Sequence, residues 1–177
     1  MNKLKEYRVA HKGMNEGKHR FRFTLDREFF DCFEATKGTE GEMIANMEIV
    51  KHGTFIEVNA GVEGKVNATC DRCLETMELP VRGEAKFLLK QGGRNNEGNG
   101  EGNDEGNGND YIVLLPEDDY IDAGVLLYEM FMLNYPIRVV HPAGECSPEM
   151  ERVLERFAID AEPAIDPRWE ELKKLIK

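Results

Sequence analysis

Long apolar runs are missing from this 177-residue chain. The most apolar stretch, Ile121–Leu133, is interrupted by Asp122 and Glu129 and falls short of the roughly 20 residues that cross a bilayer. The first residues, Met1-Asn2-Lys3-Leu4-Lys5-Glu6-Tyr7, carry charge but no hydrophobic stretch of the kind a secretory signal needs. A cytoplasmic protein without a membrane segment is therefore expected. Basic residues are also short: Lys and Arg number 23 against 34 Asp and Glu, for a net charge of −11. That surplus repels polyphosphate over most of a surface and suits a basic protein partner better than naked nucleic acid. The exception is the first thirty residues, where Lys12, Lys18, His19, Arg20, Arg22 and Arg27 form either a local basic patch or a solvated strand face. There are only four cysteines, Cys32, Cys70, Cys73 and Cys146, so reduced thiols are expected rather than a disulfide framework. Catalytic signatures are absent too: there is no phosphate-binding GxxxxGK[ST] loop, GxGxxG, GxSxG elbow or HExxH. Among the histidines, His11, His19 and His52 sit in unrelated segments and are expected at the surface. Cys32 is expected to be a core thiol.

What is present divides the chain in two. Residues 92–110, GGRNNEGNGEGNDEGNGND, offer nothing to bury and read as a flexible low-complexity insertion within one domain spanning 1–177. Its acidic residues lack the D-x-[DN]-x-[DN]-G frame of a calcium loop. Before it the period is two. Ile56, Val58, Ala60, Val62, Gly64, Val66, Ala68 and Cys70 alternate with polar residues, as one half-buried strand or two joined near Gly61 or Gly64. After the cysteines the apolar phase moves to Met77, Leu79, Val81, Gly83, Ala85, Phe87 and Leu89. Weaker strands fit Lys18–Leu25 and Glu42–Val50. Between them Asp26 is placed to cap a helix over Arg27–Phe33 that buries Phe29, Phe30 and Phe33.

After the insertion, Tyr111–Leu115 reads as a strand. Ile121–Leu133 reads as a helix apolar on every face, hence a core helix, with Asp122 at its start and Glu129 needing a partner or the surface. Ser147-Pro148 opens a further helix with Met150, Val153, Leu154 and Phe157 at helical spacing. Asp166-Pro167 opens the last, with Trp169, Leu172, Leu175 and Ile176 as its stripe. The predicted fold is α+β: an antiparallel β-rich N-terminal body, a buried core helix and two C-terminal helices.

The pair Cys70-x-x-Cys73 lies where one alternating run gives way to the next. It is half of a metal site, a redox couple, or two thiols at a hairpin tip. Residues flanking a two-residue loop face each other with Cβ atoms roughly 4.5–5.5 Å apart, so the sulfurs could share one ion. Asp71-Arg72 is poor chemistry for a tight turn, which prefers Asn-Gly or Asp-Gly. A structural zinc needs four ligands, and His141-Pro-Ala-Gly-Glu-Cys146 offers the other two. Cys70, Cys73, His141 and Cys146 would then pin the hairpin tip to the helical half. A thioredoxin-type couple instead needs its CxxC at a helix start.

Three stretches together, CDRCLETMELPV, IDAGVLLYEMFMLNYPIRVVHPAGEC and DPRWEELKKL, occur in an order that resembles the bacterial YceD family, named as large ribosomal RNA subunit accumulation protein. The segment FTLDREFFDCFE is similar to members of this group as well. The resemblance implies a non-enzymatic role in accumulation or maturation of large-subunit ribosomal RNA. It also implies a ribosomal partner, since family members are often encoded beside a small zinc-ribbon protein of the large subunit. By position, Cys70, Cys73, Glu129, Pro136, His141 and Cys146 match the motif. The expected partners are a basic large-subunit ribosomal protein, a pre-ribosomal particle, or pre-rRNA. The competing reading is a thiol- or zinc-dependent enzyme acting on RNA or protein.

Overall fold

The computed structural model describes residues 3–53, 55–91, 101–103, 110–115 and 117–158. Its centre is a sheet built from β2 (Gly17–Leu25), β3 (Gly41–Lys51), β4 (Phe55–Thr69) and β5 (Thr76–Gln91), antiparallel neighbours in that order. Alternation in the sequence becomes alternation of burial along β4, where even positions from Ile56 to Ala68 face inward apart from half-buried Gly64. The run is one continuous 15-residue strand and does not break at Gly61 or Gly64. Register Val58↔Phe87, Ala60↔Ala85 and Val62↔Gly83 places the odd positions of β5 on the same face. Beyond β5 the order continues with β7 (Asp110–Leu114), which pairs parallel to it, and β6 (Glu101–Asn103) at the edge. Part of the low-complexity stretch is thus a short strand; its residues 92–100 and 104–109 lie outside the described residues.

The inner face is closed by one helix and an aromatic layer. Helix α2 (Ala123–Asn134) crosses β4 and β5, burying Ala123, Gly124, Leu126, Leu127, Met130 and Phe131. A short helix, α1 (Arg27–Phe30), is capped by the Asp26 carboxylate, which accepts from the Phe29 N–H at 3.0 Å. It ends three residues before the predicted Phe33, and a 3-10 turn follows at Glu34–Thr36. Phe30 packs against Phe131 with ring centres 4.8 Å apart, and Phe29 against Tyr7 at 4.9 Å. Phe29, Phe30 and Phe131 are almost wholly excluded from water, and each contributes about 1.5–3 kcal/mol. Phe33 stays half-buried, stacked on Tyr128. Cys32 is also half-buried, its thiol donating to the Glu28 carbonyl rather than filling the core.

Two further expectations change because of one small element. Strand β1 (Arg8–Ala10) pairs antiparallel with β8 (Tyr120–Asp122), so the backbone stays extended through Asp122 and α2 begins at Ala123 rather than Ile121. Asp122 makes no capping hydrogen bond; its Oδ2 faces the Arg8 guanidinium at 3.6 Å. The same pairing buries His11, contrary to its expected surface position. Its backbone N–H donates to the Asp119 carbonyl and its Nε2 lies 2.9 Å from the Asp118 carbonyl. His19 is half-buried and His52 exposed.

Helix α2 is not buried all round. It lies over one side of a single sheet, so Val125, Met132 and Leu133 are exposed, as is Glu129. Helix α3 (Pro148–Phe157) starts at Ser147-Pro148 as read, without a side-chain cap, but none of its residues is fully buried. The helix expected over 167–176, with Trp169, lies outside the described residues. The architecture is α+β, and no described helix is long and apolar enough to cross a membrane.

Candidate metal centre

Strands β4 and β5 close on the pair Thr69↔Thr76, which leaves six residues between them and not the two expected. Both cysteines therefore sit inside the loop. Its backbone folds as a tight turn: the Leu74 N–H donates to the Cys70 carbonyl at 2.9 Å, and the Cys70 N–H to the Glu75 carbonyl at 2.9 Å. Leu74 takes a positive φ of 61°, uncommon for a non-glycine residue, with its side chain in solvent. The Arg72 N–H points back at the Cys70 sulfur at 3.4 Å. Such a turn aims both sulfurs to one side, which explains why Asp71-Arg72 need not satisfy a two-residue hairpin.

The connection between α2 and α3 meets this loop. The Asp71 N–H donates to the Val139 carbonyl at 2.7 Å, and the Val139 N–H donates back to the Asp71 carboxylate at 2.7 Å. Arg72 approaches Glu151 on α3 at 3.9 Å. Between His141 and Cys146 the chain turns at Gly144, whose φ of 84° suits glycine. These contacts bring together the four residues singled out from the sequence. Cys73 Sγ is 3.3 Å from His141 Nδ1, Cys146 Sγ is 3.9 Å from the same nitrogen, and Cys70 Sγ is 4.0 Å from Cys146 Sγ. All four ligand atoms lie within 4.8 Å of one another. The three cysteines are buried and unbonded, with Met77, Val140 and Met150 packed around them apart from the main core.

The donor set can be tested against a metal. Tetrahedral zinc with Zn–S near 2.3 Å and Zn–N near 2.0–2.1 Å requires about 3.8 Å between thiolates and about 3.5 Å between thiolate and imidazole nitrogen. The observed separations straddle those values. Three thiolates and one imidazole suit zinc by softness and geometry. A disulfide between Cys70 and Cys146 would need the sulfurs at about 2.05 Å, half their separation. The loop joins two strands rather than opening a helix, so the thioredoxin setting is absent. Burial pushes the Cys70 thiol up, but donors at Cys73, His141 and Arg72 outweigh it and bring it down to about 6. Cys146 moves the other way, to about 11, through burial and hydrogen bonding to Cys73 and Cys70. The pocket already favours negative charge on one sulfur, which a dication would extend to all three.

Of the other carried-over positions, Pro136 follows the end of α2 and Glu129 is exposed on it. The basic patch does not act as a unit. Lys18 and Arg20 share Glu48, at 3.1 and 3.0 Å, and hold its carboxyl below the usual range through those hydrogen bonds. Arg27 pairs with Glu40 and Lys12 with Asp119. Arg20 and Arg22 line a shallow trough of about 770 Å³ on the outer sheet face together with Arg82 and Lys86, among Glu48, Glu63 and Glu84. The sequence did not single out Asp71, whose role shows only once Val139 is beside it.

The fold and cluster define an α+β protein whose β-hairpin tip meets the connection between α2 and α3 at a cluster of three cysteines and one histidine. The family model described as large ribosomal RNA subunit accumulation protein YceD matches residues 58–176. The chain belongs to that family, and the match takes in β4 from Val58 onward, β5, α2 and all four cluster residues. No curated protein and no solved structure matches it.

Proposed function

We propose that this chain is a non-enzymatic, cytoplasmic factor in large-subunit ribosomal RNA accumulation, acting by binding a basic ribosomal protein, pre-rRNA, or both within a pre-ribosomal particle. Cys70, Cys73, His141 and Cys146 hold a structural zinc that keeps the β4–β5 loop against the α2–α3 connection. The family supports the ribosomal context. The observation that carries the structural role is the closed ligand set: four protein donors fill a tetrahedral shell, whereas a catalytic zinc keeps one position open. The surplus of acidic charge supports a basic protein as the primary contact.

A thiol- or zinc-dependent enzyme has one observation in its favour, the lowered Cys70 thiol. Cys70 is fully buried, however, so no substrate reaches its sulfur without the loop opening. The test is loss of the chain in cells combined with binding in vitro. Deletion is expected to lower mature large-subunit relative to small-subunit RNA, with the protein co-sedimenting with precursor particles. Purified protein should bind large-subunit RNA weakly alone and better with a basic large-subunit protein, less so as salt rises. Unchanged RNA ratios and no binding in either case would overturn the reading.

A further inference from the structure

We propose that the groove between the β7–β8 region and α2 docks a basic amphipathic segment of a protein partner, a proposal that rests on the assembly-factor reading above. The groove holds about 600 Å³, within the range of built binding clefts. Its floor is apolar, with Leu89, Leu114, Ile121 and Leu126. At its sides Tyr120 and Val125 remain 53% and 38% exposed, large apolar groups with no cover among the described residues.

The rim selects the occupant. Five carboxylates line the groove against one cation, Arg8. Asp122 faces Arg8 and Asp119 is held by Lys12, so those two are already compensated. Glu117, Asp118 and Glu129 have no cationic partner among the described residues, leaving negative charge on both sides of the apolar floor. An apolar floor between acidic rims fits apolar anchors flanked by Lys or Arg, as an amphipathic helix presents them. The same rims repel RNA phosphate.

The probe is a synthetic peptide with Lys on one helical face and Leu on the other, fluorescein-labelled and titrated against the full chain at low salt. A peptide of equal charge with Ser in place of Leu is the control. Glu117→Lys with Glu129→Lys tests the rim; Glu34→Lys with Glu63→Lys makes the same net-charge change elsewhere. Both pairs are exposed, and circular dichroism checks their folding. Peptide binding reads the groove alone, and the RNA ratio of deleted cells reads the assembly role alone, so either can fail without the other. The Leu peptide is expected to bind more tightly than the Ser peptide, and the groove pair to weaken it about tenfold, well beyond the control pair. Equal binding of both peptides, or equal loss in both variants, would overturn the groove as a docking site.

Discussion

Replacing Asp71 by Ala removes one half of the clamp between the cysteine loop and the α2–α3 connection. The Val139 N–H then loses its carboxylate acceptor at 2.7 Å, while the reverse bond, from the Asp71 N–H to the Val139 carbonyl, survives because it is backbone. Val139 is only 6% exposed, so water cannot easily replace the lost acceptor. A hydrogen bond to a charged group contributes about 1.5–3 kcal/mol, and a stranded buried donor costs about 1–3 kcal/mol. The two figures describe the same event and do not add, so about 2 kcal/mol is expected. If the whole loss falls on the metal-bound state, zinc affinity drops about 30-fold, within the range seen for outer-sphere partners of metal ligands. Competition against a chromophoric chelator reads the affinity, and urea titration of the zinc-loaded protein reads the stability. Asp71→Asn keeps an acceptor without the charge and should recover part of both. An Ala variant with wild-type affinity and wild-type unfolding would refute the clamp as a determinant of the centre.

Gly64 pairs with Met43 where β3 and β4 approach so closely that a Cβ would meet the backbone of Glu42 and Met43. Gly64→Ala should therefore cost about 3 kcal/mol in denaturant titration, whereas Gly61→Ala, whose nearest neighbour is a Glu84 side-chain carbon at 3.7 Å, should be nearly neutral. The Tyr7 hydroxyl, pushed up to about 12 by burial and then by Asp26, donates to the Thr24 carbonyl. The unfolded phenol ionises near 10 and the folded one later, so this contribution is intact below pH 10 and is lost as pH rises towards 12. Tyr7→Phe should lose about 1 kcal/mol at neutral pH and show a shallower alkaline decline in stability. Deleting residues 93–109 removes β6 and leaves one residue between Gln91 and Asp110, too few for the crossover that lets β7 run parallel to β5. The pairing of β5 with β7 at Leu89–Gln91 should then be lost and the unfolding midpoint should fall in urea titration; an unchanged midpoint would show that this edge pairing adds nothing to stability.

The sheet was legible because burial on one face forces a period of two, and Ile56 to Ala68 and Met77 to Leu89 keep that period without interruption. Strands β1 and β8 were not legible, since three residues cannot establish a period; missing them displaced the start of α2 and put His11 at the surface. The composition of α2 suggested burial on every side, but composition does not say how many layers surround a helix, and among the described residues this one has a sheet on one side. The stripe on α3 was read correctly as a pattern, yet Val153, Leu154 and Phe157 remain exposed among the described residues. The four cluster residues were legible from donor chemistry: a CxxC between strands and an HxxxxC between helices lack other work. The loop geometry was not, because a two-residue hairpin and a six-residue turn both place Cys70 near Cys73, and only Thr69↔Thr76 distinguishes them.

The most direct test of the account is the zinc content of the full-length protein purified without added metal, measured by elemental analysis beside its Cys73→Ser variant. The account predicts close to one zinc per wild-type chain, with both metal content and melting temperature lower in the variant. A metal-free wild type that melts where the variant does would contradict it, and leave Cys70, Cys73, His141 and Cys146 as packing residues of the loop.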